Sequence, residues 1–204
     1  MKNEKNNAVI AGEICTEPTE YDCNGENFYS FNLSVKRKSG TADILPVNIS
    51  KILLNNIKAG DKVCIEGQIR TYNRIIDGKS KLIIVFFAQE VLPYTQDGNE
   101  VNLHGYICKP PQFRITPLNR EICDVLVAVN RERNYSDYIP CIVWGHTARL
   151  VGELNTGAEV CLVGRLQSRE YDKKTEKGVE TRVAYEVSVS RISDPNKQGK
   201  GSDD

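Results

Sequence analysis

Long apolar runs are missing from this 204-residue sequence, so no segment has the length a membrane-crossing helix needs. The leading residues Met1 to Asn7 carry charge with no apolar stretch behind it, unlike a secretory signal. Both absences lead to the expectation of a cytoplasmic protein with no membrane partner. An excess of charge is missing too. The 27 basic and 27 acidic residues cancel, which argues against a partner gripped by bulk charge alone, such as duplex DNA or an anionic bilayer. Histidine is scarce, with only His104 and His146, and none of the seven cysteines forms a Cys-x-x-Cys pair, so a zinc site is not expected. Nor is there a Ser/His/Asp arrangement, a phosphate-cradling glycine loop or a carboxylate pair with a sequence signature. The sequence therefore predicts no enzyme, no metal and no cofactor.

What is present is an internal repeat. Ala11-Gly12-Glu13-Ile14-Cys15 matches His104-Gly105-Tyr106-Ile107-Cys108, and a proline follows three residues later in each, Pro18 and Pro111. Val35 aligns with Val129, the stretch from Asp43 with that from Asp137, and Gly60 to Ile69 with Gly157 to Leu166. Because Cys15 and Cys64 recur as Cys108 and Cys161, they are expected to be small buried hydrophobes used twice. The repeat divides the chain into residues 1–95 and 99–194, joined by the polar, turn-prone segment Pro93 to Asn99. The last ten residues, 195–204, contain nothing apolar to bury and are expected to be a disordered tail.

Each copy reads as five short strands. In the first they fall at about 8–15, 28–37, 43–50, 62–72 and 81–91, rich in Val, Ile, Leu, Phe and Tyr. Asn24-Gly25, Ser39-Gly40 and Asp77-Gly78 supply turns between them. Lys51 to Lys58, with Ile52, Leu53, Leu54 and Ile57, suits a short helix, as does Thr147 to Leu154 with Ala148, Leu150, Val151 and Leu154. Five strands with one short helix between the third and fourth describe the OB-fold, a five-stranded Greek-key barrel. The fold class expected is all-β, two such barrels in tandem.

Side chains alternate across a strand, and the third strands show what each barrel does with its two faces. Ile139, Cys141 and Val143 are small and apolar and point inward, as do Leu45, Val47 and Ile49. The opposite set is Tyr138, Pro140, Ile142 and Trp144 in the second copy but Ile44, Pro46, Asn48 and Ser50 in the first. The inner face is kept and the outer face has lost both rings. A lone tryptophan on a strand is either core or a platform, and the change to Ser50 in the other copy favours the platform. Single nucleic acid strands are bound by aromatic rings that stack on bases together with cations that track phosphates. The second copy supplies such a set, with Arg165, Gln167, Arg169 and Tyr171 on the outer side of its fourth strand and Arg131, Arg133 and Tyr135 after its second. Nine arginines lie in the second copy and three in the first, although each half is neutral. Arginine stacks on bases and forks onto phosphate, where lysine is a point charge. Ordinary solvated strand positions are the competing explanation for these arginines. The first copy keeps Tyr72 and Arg70 on its outer side.

Several motifs together resemble bacterial single-stranded DNA-binding proteins: Gly-x-Ile followed by a proline, Phe31-x-Leu33-x-Val35, Trp144-Gly145-x-x-Ala148, and Gly157-x-x-Val160-x-Leu162-x-Gly164-Arg165-Leu166 followed by Tyr171. The resemblance spans nearly the whole chain as two copies and is most specific from Tyr138 to Tyr171. It implies that Tyr138, Trp144 and Tyr171 stack on DNA bases, and that the matching Ile44, Ser50 and Arg74 do not, leaving the first copy with a degenerate binding face. Four OB-folds per assembly are usual in the family, so it also implies a homodimer. The function expected is sequence-independent coating and protection of single-stranded DNA during replication, recombination or repair. RNA is a second possible ligand, since stacking tolerates either sugar, and replication or repair proteins are possible partners. The reading from a different class is an OB-fold protein-interaction module, primosome-like or accessory to a mobile element, with weak nucleic-acid binding.

Overall fold

The structure is a computed structural model that describes residues 5–23, 26–76, 78–132, 135–175 and 178–193. Asn24, Gly25, Asp77, Arg133 and the expected tail therefore lie outside the described residues. Twelve strands and two short helices follow the chain in order: β1 (Asn6–Ile14), β2 (Thr19–Cys23), β3 (Glu26–Lys36), β4 (Ala42–Ser50), α1 (Lys51–Leu54), β5 (Lys62–Ile76), β6 (Lys79–Leu92), β7 (Gly98–Ile107), β8 (Gln112–Ile115), β9 (Glu121–Asn130), β10 (Ser136–Trp144), α2 (His146–Gly152), β11 (Glu159–Thr175) and β12 (Gly178–Ser193). They form two compact units.

The first unit comprises Ala8–Asn99 together with Leu166–Glu186. Its strands run β3-β4-β6-β5-β1 and close on themselves where β1 pairs with β3. The β4–β6 contact is parallel and the others are antiparallel. This is the Greek-key closure of an OB barrel. Alternation fills its interior: Leu45, Val47, Ile49, Ile65, Ile69 and Phe86 are all 0% exposed. Strand β2, which sequence reasoning missed, adds to the outer edge of β3. It escaped notice because its five residues include a single large apolar side chain, Tyr21, too little apolar content to stand out as a strand.

The second unit is built from Glu100–Arg165 and Val187–Ser193, with residues 5–7 alongside. Its order β9-β10-β12-β11-β7 returns to β9 through a β7–β9 pairing, the same closure as in the first unit, and β8 lies on the edge of β9. Val101, Val127, Ile139, Val160 and Leu162 are among its buried residues, each at most 2% exposed.

Repeated glycines let adjacent strands of each barrel approach closely. A Cβ on Gly67 would lie 2.2 Å from the Phe87 carbonyl oxygen, and one on the matching Gly164 would lie 2.4 Å from that of Ser188. Neighbouring strands come so near at these points that no side chain fits between them.

Three expectations are corrected. The first helix is one turn, Lys51–Leu54, rather than eight residues, and Ile52 is 89% exposed; an apolar run without a buried face has nothing to hold it helical. By contrast α2 buries Ala148 and Val151. Cys15 is exposed rather than buried and donates its thiol hydrogen to the Asn32 carbonyl, because it falls just past the end of β1. Cys64, Cys108 and Cys161 are only partly covered, and among the described residues the buried thiols are the unrepeated Cys123 and Cys141.

Candidate nucleic-acid interface

In the second unit β10 presents the two faces that alternation predicts. Ile139, Cys141 and Val143 are between 1% and 3% exposed, whereas Tyr138 is 46% and Trp144 39% exposed. Six residues of extended strand separate the two rings, roughly 20 Å. The Trp144 indole N–H donates to Ser188 Oγ at 3.1 Å, which fixes the ring against β12. Ile142 departs from expectation: it belongs to the outward set but is 3% exposed. Strand β10 is flanked by β9 and β12, so a central outward side chain is walled in by neighbours while those at the two ends project.

Arg131 and Tyr135 meet just after β9, with the guanidinium 5.5 Å from the ring centre, and Tyr135 is 63% exposed. The same guanidinium pairs at 3.3 Å with Asp137, whose side chain is 1% exposed. Arg165 is half-buried on β11. Arg133, the remaining arginine of the set, is outside the described residues.

In the first unit an equivalent ion pair joins Arg37 to Asp43, again with the aspartate side chain at 1% exposure. Here Asp43 also accepts the Ser168 backbone N–H at 2.8 Å, Ser168 Oγ accepts the N–H of Ile44 at 3.0 Å, and Arg37 Nη2 donates to the Ser168 carbonyl at 3.1 Å. Sequence reasoning missed both aspartates. The signal was available, since an arginine stands six residues before an aspartate at the start of the third strand in each copy.

Further along β11, Arg169 lies 5.8 Å from the Tyr171 ring centre and pairs with Glu186 at 3.1 Å. Gln167 does not share their exposure. It is 5% exposed, and its amide donates to Glu186 Oε1 at 2.8 Å, held under the neighbouring strand. Tyr171 is 38% and Tyr72 47% exposed. The Arg70 guanidinium lies 5.8 Å from the centre of the Phe87 ring.

The arrangement thus offers flat apolar rings at the surface, some capped by guanidinium groups that are themselves paired to carboxylates. Such surfaces can stack planar aromatic ligands in water. Burial pushes the thiols of Cys15, Cys64, Cys108 and Cys123 above their ordinary pKa, which keeps them protonated and weakly nucleophilic. Among the described residues no three His, Cys, Asp or Glu side chains converge as metal ligands, and no helix is long and apolar enough to cross a membrane.

Comparison with known proteins places this geometry among others. Residues 98–194 match the Single-strand binding protein family. The chain is 33% identical over 113 residues to single-stranded DNA-binding protein B of Bacillus subtilis, covering 52% of this chain and 98% of that protein. To single-stranded DNA-binding protein A of the same organism it is 32% identical over 112 residues, covering 51% of this chain and 64% of that protein. The fold as a whole is similar to the crystal structure of the wild-type single-stranded DNA binding protein from Thermus aquaticus, with a TM-score of 0.75 at 20% identity over 97% of this chain and 96% of that one.

Proposed function

Because this chain belongs to the single-strand binding protein family, we propose that it is a cytoplasmic, non-enzymatic protein that binds single-stranded DNA without regard to sequence. It coats and protects that DNA during replication, recombination or repair. The observation that carries the reading is Trp144, a large ring left 39% exposed beside an inward set that is almost fully buried. Leaving a tryptophan in water forfeits a favourable transfer, and a stacked base restores it. Tyr138 and Tyr135 add stacking surface in the second unit, and Tyr171 adds it in the first. Arg165 and Arg133 follow the backbone in the second unit, while Arg169, Tyr72 and Arg70 serve the first. Two barrels per chain give four in a homodimer, so sedimentation should report about twice the 22.9 kDa chain mass.

Quenching of Trp144 fluorescence by poly(dT) tests the reading directly, because the sole tryptophan is also the proposed platform. Trp144→Ala should weaken binding roughly ten- to a hundredfold, the effect of losing one stacked base at about 1–3 kcal/mol, with an unchanged melting temperature. Unfolding on substitution would make the ring a core residue.

One observation favours the reading as a protein-interaction module. Arg114, Arg131, Arg149, Arg169 and Arg182 each face a carboxylate, so much of the cationic surface is already neutralised. Affinity for single strands should still fall with salt by about 0.7 in log–log slope per phosphate neutralised. A flat salt dependence would support the protein partner instead.

A further inference from the structure

The first barrel is not bare of rings, although its third strand is. Tyr21 on β2 stands directly across from Phe28 on β3, and Phe28 across from Ser50 on β4. Phe87 on β6 is opposite Asn48, two residues from Ser50. Asn48, Ser50 and Phe87 belong to the outward set, since their chain neighbours Ile49 and Phe86 are the inward ones at 0% exposure, and Phe28 and Tyr21 share that face through cross-strand pairing. The rings meet over β4: Tyr21 and Phe28 have centroids 6.1 Å apart and Phe28 and Phe87 5.6 Å apart. The Arg70 guanidinium lies 5.8 Å from the centre of Phe87.

The second barrel holds the same positions in inverse sizes. The position of Ser50 is taken by Trp144, the position of Phe28 by Ile122, directly across from Trp144, and the position of Phe87 by Ser188, opposite Ile142. Where β10 carries the indole, its neighbours are an aliphatic residue and a small one. Where β4 carries only a serine, both neighbours are phenylalanines, and the small side chain leaves the room through which they touch. Aromatic surface has moved sideways by one strand. The rings are not needed to fill the barrel, whose inner face is already closed by Val47, Ile49 and Phe86 at 0% exposure, and both phenylalanines remain only half-buried.

We propose that Phe28 and Phe87, flanked by Tyr21 and capped by Arg70, form a second stacking platform for the bases of single-stranded DNA, placed on the first barrel. This rests on the proposed function and extends it to a site on strands other than the one that carries Trp144. Phenylalanine stacks on any base, since every base has a π-face, and a guanidinium over the ring adds a planar cation to the stack.

The test is binding of a fluorescently labelled dT oligonucleotide to the full chain by anisotropy, comparing wild type, Trp144→Ala, Phe28→Leu and Phe87→Leu. Leucine keeps the position apolar at smaller volume and removes the π-face. Each phenylalanine variant should raise Kd roughly five- to a hundredfold, the range for one lost stacked base, and Phe87→Leu should add to Trp144→Ala. Unchanged Kd in both leucine variants, while Trp144→Ala weakens binding, would overturn this platform and leave the proposed function standing. Absence of binding by the wild type would remove both. A second measurement needs no variant: photo-cross-linking of a 5-iododeoxyuridine oligonucleotide to the wild-type chain, with the attached peptides identified. Cross-links within residues 26–36 or 79–92 are expected, and cross-links confined to peptides of the second unit would overturn the proposal.

Discussion

Arg131 is a surface arginine that already has a partner within the protein. By residue type and place it belongs with the phosphate-tracking set, yet its guanidinium forms an ion pair with Asp137, as its counterpart Arg37 does with Asp43. Repetition of the pair in both barrels identifies a structural part. Removing one partner of a buried pair leaves an uncompensated charge and costs about 3–5 kcal/mol. Asp43→Ala should therefore lower the urea midpoint strongly with little change in slope, since it strands Arg37 and the Ser168 N–H together. Arg131→Gln should likewise cost stability while leaving the affinity of the folded protein for a dT oligonucleotide within about twofold, whereas Arg165→Gln weakens that affinity without a change in melting temperature. The reverse pattern would return Arg131 to the binding surface.

At the scale of elements, much of the architecture was legible because the chain states it twice. Five strands per copy, the inward sets of β4 and β10, and the position of the helix all follow from alternation read in parallel, which cancels accidents in either copy alone. What was not legible depends on neighbours in space. Ile142 and Gln167 are outward by parity and buried by the strands beside them. The aromatic surface of the first barrel was invisible to a comparison of β4 with β10, because it sits on β3 and β6. Ile52 looked helical from apolar content, yet no surface receives it. The repeated glycines align the two copies in sequence, and in space they mark where β5 meets β6 and β11 meets β12. Gly164→Ala places a methyl group against the Ser188 carbonyl and should destabilise the second barrel by about 1–3 kcal/mol through forced separation of β11 from β12, visible as a lower melting temperature; an unchanged melt would show that the strands yield at no cost.

For the molecule as a whole, sequence repeats and compact units do not divide the chain at the same places. The repeat proposes contiguous copies at 1–95 and 99–194, but Leu166–Glu186 packs with Ala8–Asn99, delivering Ser168 to Asp43. A fragment of residues 1–95 should accordingly melt well below the first unit of the intact chain, and equal stability would favour the contiguous division. The connecting segment is also fastened: Asp97 accepts the Tyr94 hydroxyl at 2.6 Å and the Lys36 N–H at 3.3 Å. The uneven placement of rings has an optical corollary. The chain's one indole belongs to the second unit, and the first unit answers with phenylalanines and tyrosines that are dark when only tryptophan is excited. A quenching titration therefore reads the occupancy of one barrel, while anisotropy of the labelled strand reads the whole chain. The ratio of the two apparent stoichiometries measures how the load is shared between barrels, in the unaltered protein and from a single pair of curves.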